Sequence, residues 1–229
     1  MNKKTVVISL GGSVVAPEEG IIDYLFLKKF KAIIIRQVKK GTRFIIVVGG
    51  GKTARIYQGA AKKVGQLVPE DIDWIGIYAT RLNGHLLRTI FRQYAQPKIN
   101  TKPFKVERFN RPILIGAGWR PGFSTDFDAV KLAIGHGASV VINLSNIDFV
   151  YSADPRKDKN AKKLEKISWL DFLKLVGKKW TPGANLPFDP IASRLAAKKH
   201  LPVLIMAGRD LKNFEGYLNS GKFKGTVIG

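Results

Sequence analysis

Apolar residues fall along the chain in short runs that alternate with longer amphipathic stretches. Thr5 to Leu10 is a largely apolar run that ends at Gly11, Gly12 and Ser13, the pattern of a buried strand breaking into a glycine turn. From Ile22 to about Lys40 the apolar positions Leu27, Phe30, Ile34 and Val38 recur at helical spacing, and Gly41 supplies a terminator. Phe44 to Val48 repeats the strand pattern; Gly49, Gly50 and Gly51 follow, and Lys52 to Val64 reads as a second helix. Pro112 to Ile115, Ser139 to Leu144 and Leu201 to Met206 are further strand candidates, each joined to helical stretches. Strands alternating with helices favour parallel pairing through right-handed crossovers. The expected fold class is therefore α/β, a three-layer α/β/α sandwich with a mostly parallel central sheet.

Local signals add two helix starts. Asp189 followed by Pro190 offers an N-cap carboxylate and a proline at the first helical position, with Ile191 and Leu195 expected to face inward. Thr125 with Asp128 three residues later has the form of a capping box. No internal repeat, low-complexity stretch or linker interrupts residues 1–229, so a single domain is expected.

Composition narrows the function classes. The chain has 229 residues, 45% hydrophobic and 24% charged, enough to bury one sizeable core and unlike a disordered sequence. It has no cysteine, which excludes disulfides, zinc–thiolate sites and cysteine nucleophiles. No apolar run approaches the roughly 20 residues of a membrane span, and Met1 to Lys4 leads into a strand rather than a signal sequence, so a cytoplasmic protein is expected. The formal charge is +22, and no acidic residue occurs between Asp23 and Glu70 or between Asp73 and Glu107. Such a field suits phosphorylated substrates, nucleic acid or an anionic surface, or is simply a solvated face. No nucleic-acid-binding motif or basic stripe interleaved with aromatics accompanies it.

Two glycine turns, Gly11-Gly12-Ser13 and Gly49-Gly50-Gly51, close successive strands at the same end of a parallel sheet, where open α/β folds bind ligands. Glycine lets backbone amides approach a phosphate closely, although either turn could also be a tight turn without a ligand. Neither fits a P-loop or a GxGxxG fingerprint, so phosphate binding would need another scaffold.

Taken together, the segments resemble the amino-acid kinases, and within them the archaeal-type UMP kinases. The carriers are Gly11-Gly12-Ser13, Val47-Val48-Gly49-Gly50-Gly51-Lys52-Thr53-Ala54-Arg55, Thr80-Arg81-Leu82-Asn83, Pro121-Gly122-Phe123-Ser124-Thr125-Asp126, Asn146-Ile147-Asp148, Tyr151-Ser152-Ala153-Asp154-Pro155 and Asp189-Pro190-Ile191-Ala192. The resemblance implies transfer of the γ-phosphate of ATP to UMP, with Mg2+ carried by the nucleotide, as a step of pyrimidine nucleotide biosynthesis. It implies a homohexamer without a nucleic-acid or membrane partner. Gly12, Ser13, Gly51 and Arg55 would contact the ATP phosphates, while Ser145, Asn146, Tyr151 and Asp154 would bind its base and ribose. Gly50 and the loop Trp119, Arg120, Pro121, Gly122, Phe123, Ser124 and Thr125 would surround UMP, with Asp73 on its ribose. Arg55, Asp189 and Ser13 are the implied catalytic set. A division near residue 118 separates an acceptor-side lobe from a nucleotide-side lobe.

The chain departs from the resembled pattern in places. Ser9 stands where bacterial UMP kinases and many relatives carry a strand-one lysine, a lysine the archaeal branch also lacks. Phe149 replaces a glycine, and would be strained if that position required positive φ. Trp119 and Arg120 stand where small or imidazole residues are common. Val48 stands where acetylglutamate and isopentenyl phosphate kinases place histidine, which favours a nucleoside monophosphate as acceptor. The alternatives are a non-catalytic nucleotide or oxyanion binder on the same fold and a kinase of another small acceptor.

Overall fold

The protein is described from a computed structural model covering residues 4–18, 21–106, 108, 110–177 and 186–229; the expectation that residues 1–3 lead into a strand lies outside them. In chain order the elements are β1 (Thr5–Leu10), α1 (Gly12–Val15), α2 (Tyr24–Lys39), β2 (Arg43–Val48), α3 (Gly51–Val64), α4 (Pro69–Ile90) and β3 (Ile113–Gly116). There follow α5 (Thr125–Gly135), β4 (Val141–Ser145), β5 (Val150–Tyr151), β6 (Lys163–Leu164), β7 (Lys166–Ile167), α6 (Trp169–Val176), α7 (Pro190–Lys198), β8 (Val203–Ala207), α8 (Leu211–Ser220) and β9 (Thr226–Ile228). Seven strands form one sheet in the order β3-β2-β1-β4-β8-β9-β7, parallel throughout except where β8 meets β9. β5 and β6 pair separately as a small antiparallel ladder.

The period-two pleat explains the three layers. Val6, Ile8 and Leu10 of β1 and Phe44, Ile46 and Val48 of β2 share one core with Phe30 of α2, Phe91 after α4 and Phe214 of α8. The Phe30 ring stacks with Phe26 and Phe214 at centroid distances of 5.7 and 5.9 Å and meets Phe91 edge-on at 6.3 Å. The intervening residues Val7, Ile45 and Val47 face the opposite core, with Val130 of α5, Phe172 of α6 and Ala192 of α7. Continuous apolar strands are thus needed because both faces of the sheet are covered.

The structure moves several expected boundaries and capping residues. The late strands begin and end one or two residues further along the chain than the apolar runs. Ser124, not Thr125, caps α5: its hydroxyl accepts the Phe127 amide, while Asp128 turns away toward the Trp119 amide. Along α7 the inward positions are Ala192, Ser193 and Ala196, because α5 packs too close for large side chains; Ile191 and Leu195 are only partly buried. Gly41 does end α2, at φ +94°.

The 22-residue helix α4 was absent from the sequence expectation, although Pro69 at its start and Glu70 and Asp71 in its first turn are helix-start signals.

The carboxyl ends of β1 and β2 meet backbone to backbone. A Cβ at Gly12 would lie 2.0 Å from the Gly51 nitrogen and 2.6 Å from the Gly49 carbonyl carbon. Gly51 itself has φ +64°, and a Cβ there would meet the Gly12 oxygen at 2.3 Å. Gly12→Ala should therefore cost at least about 3 kcal/mol, the upper range of overpacking, lowering Tm by roughly 6 °C or more. Gly59→Ala, in α3 with open space around it, should instead be neutral or stabilise by about 0.5–1 kcal/mol. Thermal melts of both variants check this; equal Tm values would refute the close contact.

Candidate active site

The two glycine turns form one junction because neighbouring parallel strands deliver them to the same edge. The Gly49 amide donates to the Leu10 carbonyl at 3.0 Å, and the Lys52 amide to Ala16 at 3.0 Å. Buried Asn83 on α4 donates to the carbonyls of Gly49 and Gly50 at 2.9 and 3.3 Å. The junction lies at the start of α3, whose positive end favours an anion. Arg55 stands one turn into α3.

A cleft of about 860 Å3 opens from this junction. Ser13 and Arg55 line one end; Asn146, Phe149, Tyr151 and Asp154 line the other. Of the expected nucleotide residues, the structure therefore brings five to one cavity, with Gly12 and Gly51 in the junction beneath it. Ser145 closes β4, and its hydroxyl accepts the Ile147 amide at 3.3 Å. The Tyr151 hydroxyl donates to Asp148 at 3.2 Å, and Lys163 donates to the other oxygen of Asp148 at 3.0 Å. Asp154 is held by the Arg156 guanidinium through two bonds of 3.0 and 2.9 Å, which lower its pKa to about 2. Any ribose contact at Asp154 would thus share the carboxylate with Arg156, a partner the sequence reading did not name.

Phe149 corrects the expected strain. Among the described residues His200 is the only non-glycine with positive φ, so Phe149 needs no glycine conformation. Its amide donates to Asp148 at 2.9 Å.

The acceptor-side residues separate into two groups. Gly50 lies against α4, where a Cβ would meet the Gly76 oxygen at 3.3 Å and the Ala54 methyl at 2.7 Å. Asp73 accepts the Gly122 amide at 2.9 Å, so this expected ribose ligand ties α4 to the tip of the loop formed by Pro121 and Gly122. Further along α4, the Thr80 hydroxyl accepts the Gly118 amide at 2.8 Å, and Arg81 donates to the carbonyls of Gly118 and Trp119 at 3.2 and 3.0 Å. Thr125 starts α5 directly after the Ser124 cap. Trp119 and Arg120 do not line the large cleft. They border a separate cavity of about 640 Å3 with Lys102, Phe104 and Lys105. There Arg120 lies 4.1 Å over the Trp119 ring, and the Phe123 ring lies 5.0 Å from that of Trp119, tilted by 47°.

Three carboxyl groups behind the junction, buried Asp128 and Asp189 and half-buried Asp126, were not singled out together from sequence. Ser9, at the strand-one position discussed above, donates to Asp126 at 2.7 Å, and the Asp189 amide donates to the other oxygen of Asp126 at 3.3 Å. Asp189 caps α7 by accepting the Ala192 amide. Burial raises all three pKa values: Asp126 to about 6, Asp128 to about 8, and Asp189 upward against the bonds from Ala192 and Ser124. The available signal was polar residues in apolar surroundings: Ser9 and Asn143 in buried strands, and Asp128 on the inner face of α5. Among the described residues no group of three His, Cys, Asp or Glu side chains is arranged to hold a metal ion.

The sequence model of the amino acid kinase family matches residues 4–207. The chain belongs to that family. The uridylate kinase of Methanocorpusculum labreanum is 36% identical over 227 residues, covering 98% of this chain and 95% of that protein. The uridylate kinase of Pyrococcus abyssi is 33% identical over 228 residues, covering 97% and 98%. The crystal structure of uridylate kinase from Archaeoglobus fulgidus superposes with a TM-score of 0.81 at 32% identity, covering 99% of this chain and all of that one. The UMP kinase of Bacillus anthracis, at 23% identity and TM-score 0.79, shares the fold.

In this amino acid kinase the carboxyl cluster gives stability a definite pH dependence. Folded Asp128 keeps its proton up to about pH 8, whereas an unfolded aspartate loses it near 3.8. Between these values the folded state binds more protons, so stability falls as pH rises from about 4 to 8 and levels off above. Asp126 adds a similar fall only up to about pH 6. Asp128→Asn should therefore flatten the pH 6 to 8 part of the curve, where one proton gives a slope of at most about 1.4 kcal/mol per pH unit. Denaturant melts of both proteins across pH 5 to 9 measure the difference; parallel curves would show that Asp128 ionises normally.

Proposed function

We propose that this protein is a UMP kinase that transfers the γ-phosphate of ATP to UMP, yielding UDP and ADP. The observation that carries the reading is the single cleft joining the glycine junction and Arg55 to Asn146, Tyr151 and Asp154, in a chain whose relatives in Methanocorpusculum and Pyrococcus are named uridylate kinases. A volume of about 860 Å3 suits a nucleotide.

Phosphoryl transfer needs little covalent help from the protein; positioning and charge stabilisation supply most of the rate. Gly12, Ser13 and Gly51 present backbone amides to the donor phosphates, and Arg55 spans phosphoryl oxygens with its planar fork. Mg2+ would be carried by the nucleotide phosphates and would neutralise part of their charge. Ser145, Asn146, Tyr151 and Asp154 hold the donor base and ribose. Asp189, the third of the proposed catalytic set, caps α7 and holds the start of that helix against Asp126 through its own amide.

On the acceptor side, Gly50, Asp73 and the loop from Pro121 to Thr125 bind UMP, with Asp73 exchanging the Gly122 amide for ribose hydroxyls. Trp119 and Arg120 support this loop from its outer side. Residues up to about 118 contribute the adjacent strands β3, β2 and β1, and those beyond it the remainder of the sheet, in keeping with acceptor-side and nucleotide-side lobes.

Self-association fits the outer face of α4, where Tyr78 and Leu82 are each 63% exposed and Trp74 lies one turn before Tyr78. Arg81 rests 5.2 Å from the Tyr78 ring. An apolar helical stripe of this kind suits packing against a second copy, within the hexamer proposed for the intact assembly. Light scattering should show Tyr78→Glu shifted to smaller species than the parent; unchanged mass would exclude α4 from the interface. No helix of the described residues is long and apolar enough to cross a membrane, which agrees with the proposed cytoplasmic location.

The functional test is a phosphoryl-acceptor screen with Mg-ATP against UMP, CMP, dTMP, carbamate, acetylglutamate and isopentenyl phosphate. UMP should be the preferred acceptor. Arg55→Ala should lower kcat by roughly 10²-fold or more, about 3 kcal/mol of transition-state stabilisation. Asp73→Asn should raise the KM for UMP on the order of tenfold while the KM for ATP stays put. Turnover of another acceptor in place of UMP, or Arg55→Ala within about threefold of the parent, would overturn this assignment.

A further inference from the structure

We propose that Phe149 is the stacking platform for the base of the nucleotide donor, and that it sets the preference of this enzyme for purine donors. The inference rests on the kinase reading above and adds to it a residue outside the expected nucleotide set.

The geometry orders the cleft. Its Ser13 and Arg55 end carries the glycine amides and the guanidinium, so the triphosphate belongs there. The base must then lie toward the opposite end, where Phe149 and Tyr151 line the wall. Tyr151 is oriented by its hydroxyl bond to Asp148, and Phe149 is fixed through its amide on the same carboxylate at 2.9 Å. Asp148 is therefore spent on protein partners: the Tyr151 hydroxyl, the Phe149 amide and the Lys163 ammonium at 3.0 Å. It positions the aromatic wall, and these bonds hold its pKa below the ordinary carboxylate value.

Lys163, across the β5–β6 ladder, lies 4.7 Å from the Phe149 ring centroid and 6.0 Å from that of Tyr151. The cation anchors the ring against the ladder. Phe149 is only partly buried and adopts no positive φ, so the site uses a phenyl ring here without backbone strain. A flat apolar ring on the wall of a nucleotide-sized cleft, with a cation 4.7 Å from its centroid, has the form of a base-stacking surface.

Direct titration with Mg-ATP, Mg-CTP and inorganic tripolyphosphate, in the absence of acceptor, tests this. Phe149→Ala and the apolar but non-aromatic Phe149→Leu should weaken ATP about tenfold, leave tripolyphosphate within twofold, and narrow the difference between ATP and CTP. Phe149→Trp should keep or improve ATP binding. A merely structural role would weaken tripolyphosphate and ATP together. ATP affinities of the Ala and Leu variants within twofold of the parent, in protein that turns over UMP, would overturn the stacking assignment and leave the kinase reading intact. A parent that binds no ATP would overturn both.

Discussion

The absence of a side chain at Gly12 is the constraint on which the ligand-facing edge of the sheet depends. Two parallel strands can bring their turns into backbone contact only where no Cβ intervenes, and at Gly12 the Gly51 nitrogen occupies that space. The contact fixes the start of α3, hence the place of Arg55, and the bond from Lys52 to Ala16 locks the two turns together. Buried Asn83 satisfies the carbonyls that such a close approach leaves exposed to the interior, which links the junction to α4.

α4 then governs the acceptor side. Asp73, Thr80 and Arg81 each bind backbone of the segment from Gly118 to Gly122, and Asp128 takes the Trp119 amide from the other side. The loop is held by its main chain, which leaves its side chains free to vary. That accounts for Trp119 and Arg120 standing in a segment where small or imidazole residues are common in the resembled enzymes: Trp119 packs against the core beside Phe104 and Phe123, and exposed Arg120 lies over its ring.

Charge is divided between surface and interior. The net charge of +22 comes from lysines and arginines, none of which is buried among the described residues, whereas Asp128 and Asp189 are buried and Asp126 half-buried behind the junction. Burial favours the protonated form of these carboxyls and so lessens the negative charge near the junction. Ser9 belongs to this arrangement, because its hydroxyl hydrogen-bonds Asp126 at the strand position where many relatives have a cation.

By itself the sequence determined five of the seven sheet strands, leaving out β7 and β9, together with the two glycine turns and the residues Asn146, Tyr151 and Asp154 that line the far end of the cleft. The apolar runs of β1 and β2 specify burial on both faces, and the order of the motif segments specifies their sequence around the sheet edge. Those features are local in the chain or repeat with the period of the pleat, so they can be read without coordinates. What only the tertiary structure decided were interactions between distant segments. The pairing of Ser9 with Asp126 spans 117 residues and that of Asp73 with Gly122 spans 49. Neither periodicity nor capping signals encode which buried polar group meets which. The same holds for Phe149: its replacement of glycine suggested strain in one dimension, whereas the fold supplies an ordinary backbone, a carboxylate for its amide and a cation beside its ring.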